Sequence, residues 1–281
     1  MYNRKTTVAS RLAAVFFTAI YTEGAVKSSF ECRVTGNDCA KQTKIKTINY
    51  TKRWFNVKLL QRKADGAINV KRKEVKEVTE KEKMLSGMLY CAEDRELKGE
   101  FIKCRELVRL YNQTTEGQPE RRREILEKLL GGIGRGGHIE GPFHCDYGQH
   151  IYVGDHFYAN FNLVILDVCE VHIGDNVMLG PGVSIYTAGH PVDAGVRIGG
   201  LEFGKPIAIG DNVWIGGSTV VNPGVSIGAN TIIGSGSVVT KPIPENVIAA
   251  GNPCRVLRRI TEEDRKFWEE QRRRYWENKQ D

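Results

Sequence analysis

From Ile209 to Val239 an aliphatic residue stands at every sixth position: Ile209, Ile215, Val221, Ile227, Ile233 and Val239. Gly follows four of them (Gly210, Gly216, Gly228, Gly234) and Asn222 follows a fifth. The fifth place of each six is small or β-branched: Val213, Thr219, Val225, Thr231 and Ser237. A period of six belongs neither to a helix, at 3.6, nor to a strand, at 2. It is the mark of a parallel β-helix, in which each unit supplies one short strand and one corner. The aliphatic residue is expected to point inward, and the Gly or Asn after it to take the unusual dihedrals of a corner. Three sixes complete a coil, so residues about 18 apart should stack. The 30 glycines of this 281-residue chain suit an architecture so rich in corners.

Upstream, Ile173, Leu179 and Ile185 keep the same rhythm. Between Ile185 and Ile209 it fails, because Pro191, Arg197 and Phe203 hold the intervening sixth positions and none reads as core. Residues 187–206 are therefore expected to leave the coil as a loop, and long loops in compact domains are commonly functional. Before the coil, Leu97, Phe101, Cys104, Val108 and Tyr111 form one apolar stripe of an amphipathic helix, which places Phe101 in the core. A second helix opens at Pro119 and stops at Gly131, with Arg121, Arg122 and Arg123 as a solvated face. These helices should cap the first rung of the coil, whose open edge would otherwise invite pairing. After Val239, Pro242 and Pro244 end the repeat. A helix begins at Thr261, with Glu262, Glu263 and Asp264 in its first turn, and Trp268, Tyr275 and Trp276 give it a side to dock. The expected organisation is a basic extension over 1–78, a helical subdomain over 79–132, the β-helix over 133–260 and a helical tail over 261–281.

Charge sharpens the boundary near residue 78. The first 78 residues carry 17 Lys and Arg against 6 Asp and Glu, whereas the remainder carries 24 against 28. The basic character belongs to the front segment, and no basic face interleaved with aromatics marks a nucleic-acid surface. Arg4, Lys5 and Arg11 before the apolar run from Leu12 to Ile20 have the outline of a signal peptide, and the run is too short to span a bilayer. Seven scattered cysteines without a C-x-x-C pair suit free thiols in a reducing compartment, so the expectation is a cytoplasmic protein without a membrane partner. Beyond the apolar run the segment is weakly periodic and expected to be disordered, or to be an upstream extension of a working chain that starts near Val78.

The histidines bear on chemistry. His138 and His156, and His172 and His190, are each 18 apart and so expected to stack. Two imidazoles fall short of the three protein ligands usual for catalytic zinc, so no metal is expected. His190 stands where the loop leaves the coil, a place no packing argument requires, and imidazole is the base available near neutral pH.

Several motifs, in order, carry a resemblance: Asp146-Tyr-Gly, Tyr158-Ala-Asn-Phe-Asn162, Ile165-Leu-Asp167, Thr187-Ala-Gly-His-Pro191, Asn212-Val-Trp-Ile-Gly-Gly217 and Ala250-Gly-Asn-Pro-Cys-Arg255. Together with the lead-in from Glu80 to Tyr90, they resemble the maltose/galactoside O-acetyltransferases, a family of hexapeptide-repeat acyltransferases, over about residues 79–260. The resemblance implies a left-handed coil, a homotrimer with sites between neighbouring coils, and direct transfer of acetyl from acetyl-CoA to a sugar hydroxyl in a ternary complex. His190 would be the general base and the Gly217 backbone N–H the oxyanion donor. Asn160, Asp146 and Tyr158 would hold the acceptor. Gly217, Ser235, Thr240, Lys241, Arg255 and Arg258 would hold the cofactor, the basic ones meeting its phosphates.

The lead-in departs from the family. An acidic position after Leu-Tyr is replaced by Cys91-Ala92, and an arginine position matches Phe101. The acceptor therefore stays open, with an antibiotic or amino sugar as rival acceptors. A zinc-dependent lyase of the γ-carbonic anhydrase kind and an inactive scaffold trimer are rivals of other classes.

Overall fold

The computed structural model describes residues 78–279 and, in the front segment, the strands Tyr21–Thr22 and Ala25–Val26, which pair antiparallel. The remaining expectations for the front segment fall outside the described residues. From Gly132 onward the chain winds as a parallel β-helix with three faces. The first face stacks Gly132–Ile133, Ile151–Val153, Val171–Ile173, Ile207–Ile209 and Ser226–Ile227. The second stacks His138–Ile139, Tyr158–Ala159, Met178–Leu179, Trp214–Ile215, Ile232–Ile233 and Val247–Ala250, with Arg255–Arg259 closing it antiparallel. The third stacks Phe143–Cys145, Leu163–Leu166, Ser184–Tyr186, Val220–Val221 and Val238–Val239. Each sixth residue points inward: Ile209 pairs with Ile227, Ile215 with Ile233 and Val221 with Val239, all buried. Each such side chain, fully buried, contributes roughly 1.5–3 kcal/mol.

The glycines after these aliphatics serve a purpose other than the expected one. The left-handed dihedrals fall two residues later, at Asn212 (φ 56°), Ser218 (57°), Gly224 (79°), Asn230 (55°) and Gly236 (71°). Gly210, Gly216 and Gly228 are required by close approach instead. A Cβ on Gly216 would lie 2.5 Å from the Ser235 nitrogen, and one on Gly228 would lie 2.3 Å from that of Glu245. The coils touch backbone to backbone at these corners.

The early coils are also longer than three sixes. Ile133 stacks on Val153 and Val153 on Ile173, 20 residues apart, because the third corner carries two extra residues in each turn. At the next turn the same corner holds the loop over 187–206. This register overturns both expected histidine stacks. His138 lies over Tyr158 (centroids 5.9 Å, planes 5° apart) and His172 over Tyr152 (4.8 Å, 7°), with Ala208 in register on the other side of His172.

Three helices precede the coil: α1 (Glu80–Leu85), capped reciprocally by Thr79 and Glu82; α2 (Arg95–Asn112), capped by Asp94; and α3 (Pro119–Leu129), with Pro at its first turn. Leu97, Cys104, Val108 and Tyr111 bury the stripe of α2, but Phe101 is 37% exposed and not core. The arginines of α3 are not one solvated face either. Arg122 is buried, donating to Thr114 Oγ1 (3.0 Å) beside Glu140, and Arg123 donates to the carbonyls of Ile133 (3.0 Å) and Gly134 (2.8 Å). A guanidinium thus helps to cap the first rung by donating to its backbone carbonyls. Within the loop lies the short helix α4 (Ala194–Ile198). The tail helix α5 (Glu262–Glu277) has its expected Thr261 cap, yet buries no residue, and Trp268 is 67% exposed.

Candidate active site

Two residues hold the neck of the loop. Thr187 donates its hydroxyl to the Leu166 carbonyl (2.7 Å) and accepts from Lys205 N at its own carbonyl (2.9 Å). Ala188–Gly189 then pairs antiparallel with Leu201–Gly204, which pairs on its far side with Tyr90–Cys91. A three-stranded sheet therefore stands off the coil, and exposed His190 is the residue that follows its Ala188–Gly189 strand. Gly189 is needed for packing here, since a Cβ on it would meet the Phe203 ring at 2.8 Å.

That sheet, α2 and the third corner enclose a cavity of about 320 Å³. Its apolar lining includes Leu97, Phe101, Tyr147 and Val168; its polar lining includes Tyr90, Asp146 and Glu202. Tyr90 donates its hydroxyl to Glu202 Oε2 (3.0 Å), and Arg105 donates to Asp146 Oδ1 (3.0 Å). Burial first, then the Glu202 charge, pushes the Tyr90 phenol far above its ordinary range, so it remains a donor. Burial also raises the Asp146 carboxyl, against the opposing pull of Arg105. A larger open groove of about 640 Å³ runs along the first face past Tyr152 and His172, and none of the candidate site residues lines it.

Beneath the cavity sits Asp167, fully buried. Its Oδ1 accepts from the backbone nitrogens of Asp146 (2.9 Å) and Tyr147 (3.0 Å), while its Oδ2 has no partner. Burial pushes this carboxyl up to about 7, with those two hydrogen bonds opposing the shift. The two extra residues of each early coil lie at this corner, and Asp167 fixes how they turn Asp146 toward the cavity.

The remaining candidates lie on another edge. Tyr158 is on the second face, and Asn160, Gly217 and Ser235 occupy the second corner, between the second and third faces. A Cβ on Gly180 would lie 2.5 Å from the Gly217 nitrogen, and one on Gly216 would lie 2.5 Å from the Ser235 nitrogen, so this corner is a column of closely stacked backbone. Among the described residues the Gly217 N–H has no acceptor, and its carbonyl accepts from Gly236 N (2.9 Å). Asn160 turns its own Oδ1 to the Phe161 nitrogen (2.8 Å). Arg255 and Arg258 stand on the strand that closes the second face, and Arg258 holds Asp264 of α5 through two hydrogen bonds of 2.6 and 2.9 Å. Thr240 and Lys241, both exposed, follow Val239 onto the third corner, the edge from which the His190 loop leaves.

The chain therefore divides the candidates between two edges that flank its third face. His190, Asp146, Thr240 and Lys241 are on one; Tyr158, Asn160, Gly217 and Ser235 are on the other, with Arg255 and Arg258 at its end. Sequence reasoning missed Glu202, though the alternation Leu201-Glu-Phe-Gly204 held the signal of a strand, and misplaced Phe101. Among the described residues no group of three or more His, Cys, Asp or Glu is placed to hold a metal ion.

Comparison with known proteins agrees with this architecture. Residues 83–134 match the family model described as the maltose acetyltransferase hexapeptide capping motif, and 206–241 match that of the bacterial transferase hexapeptide (six repeats). Galactoside O-acetyltransferase of Escherichia coli K12 is 41% identical over 187 residues, covering 66% of this chain and 92% of that protein. The crystal structure of a maltose O-acetyltransferase from Clostridium difficile 630 is 54% identical at a TM-score of 0.65, covering 66% of this chain and 98% of its own. A galactoside acetyltransferase in complex with coenzyme A is 40% identical at a TM-score of 0.66, covering 67% and 94%. With relatives at this identity matched over nearly their whole length, the chain belongs to the maltose/galactoside O-acetyltransferase family of hexapeptide-repeat acyltransferases.

Proposed function

We propose that this protein transfers the acetyl group of acetyl-CoA directly to a sugar hydroxyl, with His190 as general base. The imidazole takes the hydroxyl proton as the acceptor oxygen attacks the thioester carbonyl. The Gly217 N–H donates to the tetrahedral oxyanion, and collapse expels the CoA thiolate, which recovers the proton from the imidazolium. The observation that carries this reading is the placement of His190 at the mouth of the loop, directly after the Ala188–Gly189 strand of the sheet whose other strands line the acceptor cavity. The unclaimed Gly217 N–H supports the oxyanion role, because a preorganised donor needs no partner of its own. A relative 36% identical is complexed with acetyl-CoA, which supports the donor.

The division of the candidates over two edges supports a site shared between copies, one protomer giving His190 and Asp146 and its neighbour giving Asn160, Tyr158 and Gly217. A closed ring of three copies presents each kind of edge to the other. The CoA phosphates then lie along Ser235, Thr240, Lys241, Arg255 and Arg258, with Arg258 exchanging Asp264 for phosphate. The described cysteines, Cys91, Cys104, Cys145, Cys169 and Cys254, are all free, and no described helix is long and apolar enough to cross a membrane. The free thiols support a cytoplasmic enzyme.

The test is thiol release from acetyl-CoA over a panel of sugars. His190→Ala should lose about 10²–10⁴-fold in kcat; intact turnover would remove the base from the loop. Co-expression of His190→Ala with Asn160→Ala, each inactive alone, should restore part of the activity through mixed assemblies. No recovery, with mixed assemblies present by mass, would place each site within a single protomer.

A further inference from the structure

The third corner is where the coil departs from the hexad, and side chains of each following coil take up its spare backbone donors. In the first coil the nitrogens of Asp146 and Tyr147 donate to Asp167 Oδ1 of the second (2.9 and 3.0 Å). In the second coil the Cys169 nitrogen donates to Thr187 Oγ1 of the third (2.9 Å). The Thr187 hydroxyl donates in turn to the Leu166 carbonyl (2.7 Å), which also accepts from the Thr187 nitrogen (3.0 Å). One fully buried hydroxyl thus ties both ends of the corner 166–169, and the carbonyl of the same residue accepts from Lys205 N (2.9 Å) where the loop returns. Cys169 is itself held fast: its thiol donates to the Met84 carbonyl (3.1 Å), and a Cβ on Gly204 would lie 2.5 Å from its sulfur. Three residues beyond Thr187 stands His190, exposed and, among the described residues, without a side-chain hydrogen bond or ion pair.

We infer that Thr187 is a positioning residue for His190, an assignment that rests on the reading of His190 as the base. An imidazole with no partner of its own is aimed by its backbone alone, and a misplacement of about 1 Å costs on the order of 100-fold in rate. That backbone is the two-residue strand Ala188–Gly189, whose sheet stands off the coil and cannot borrow the coil's rigidity. Thr187 roots the strand in the coil, and it does so through a hydroxyl that serves as donor and acceptor at once. A valine has the same shape but neither function. With it the buried Cys169 nitrogen is left unpaired, the two ends of the corner are no longer tied, and the strand moves with them. Asp167 and Thr187 are successive rungs of one side-chain-to-backbone ladder, the first holding Asp146 and the second the strand of the base.

The experiment measures thiol release by the full chain with acetyl-CoA and the sugar that the parent turns over fastest, at a temperature well below every variant's Tm. Thr187→Val should lower kcat about 10–100-fold with KM for the sugar nearly unchanged. Thr187→Ser keeps the hydroxyl and should restore most of the loss. Thr231→Val is the control for stability. Thr231 is as fully buried and donates its hydroxyl to the Pro244 carbonyl (2.9 Å), but at the first corner, so this variant should lower Tm and leave kcat alone. The decisive reading is the double variant: on a His190→Ala background, Thr187→Val should lower kcat no further, because its effect runs through the imidazole. If Thr187→Val is too unstable to assay, Thr187→Cys, with its weaker acceptor, carries the same expectations. A parental kcat in Thr187→Val, a Ser variant as slow as the Val variant, or an equal loss with and without His190 overturns the assignment. Turnover that survives in His190→Ala is a separate result: it removes the base, and the task given to Thr187 with it.

Discussion

Two corners of the same prism, built from the same repeat, are finished differently. At the first corner, between the first and second faces, side chains of one coil claim the backbone nitrogens of the coil before it through three early coils. The nitrogens of Arg135, Asp155 and Asp175 donate to Asp155 (2.8 Å), Asp175 (2.7 Å) and Asp211 (2.8 Å), one coil to the next. Beside them Asn176, Asn212, Asn230 and Asn246 link amide to amide at 3.0–3.2 Å, all at positive φ. The equivalent places at the second corner hold Phe161, Pro181, Gly217 and Ser235, with neither an Asp nor an Asn ladder, and the Gly217 N–H is left open. The same hexad builds both corners by changing two residues per turn, as Asp211-Asn212 against Gly217-Ser218 shows.

The comparison breaks most sharply by adding one methyl to each corner. Gly180→Ala would set a Cβ 2.5 Å from the Gly217 nitrogen and 2.9 Å from its Cα, so the amide must move. Displacing an oxyanion donor costs about 10²–10³-fold in kcat. Gly174→Ala makes as tight a contact at the first corner, 2.1 Å from Asp211 Oδ1 and 2.8 Å from its nitrogen. It should lower stability by about 1–3 kcal/mol while sparing kcat. Steady-state kinetics and denaturant melts on both variants decide the matter. Equal losses of kcat would mean that the corners do not differ in function.

The third corner adds a charge to the contrast. The Asp167 carboxyl is raised to about 7 by burial, well above the value near 3.9 it has in an unfolded chain. A carboxyl raised on folding contributes stability that is complete below about pH 4 and is lost as the pH climbs through about 7. Asp167→Asn removes this titration and keeps an oxygen for the Asp146 and Tyr147 nitrogens. The stability of the parent relative to the variant should therefore fall by on the order of 4 kcal/mol between pH 4 and pH 8. Urea denaturation across that range measures it, and a pH-independent difference would mean that Asp167 stays ionised in the fold.

What the sequence made legible follows the same division. The hexads from Ile209 to Val239 fixed inward side chains, face assignment and the 18-residue register, because each is a local property of the repeat. The bulge over 187–206 was legible as a gap in that rhythm. The 20-residue coils were not, since two extra residues at a corner leave the strands intact while shifting every later partner, which is how His172 came to lie over Tyr152. Phe101 has the spacing of a core residue on α2, but periodicity reports a face and not what the face meets, here a cavity. Glu202 meets Tyr90 on a strand far away in sequence, and Arg122 meets Thr114 and Glu140 outside its own helix, so nothing local marked one for a pocket and the other for burial.

The mildest test separates the two features that every rung of the Asn ladder combines. Asn230 accepts from Asn212 (3.0 Å), donates to Asn246 (3.2 Å) and holds φ at 55°. Asn230→Ala loses both hydrogen bonds and leaves a side chain in a left-handed conformation that Asn tolerates better, costing about 1–2 kcal/mol. Asn230→Gly loses the same bonds but relieves the backbone, so it should cost less, about 0.5–1 kcal/mol. Neither should alter kcat, because the ladder corner holds none of the groups assigned to transfer. If Gly were as costly as Ala, the hydrogen bonds alone would hold the corner; if Gly were neutral, the ladder would be there for its dihedrals. In that case the Gly of the second corner, Gly236 at φ 71°, already does the same work without any amide, and an Asn placed there should be accepted without loss of activity.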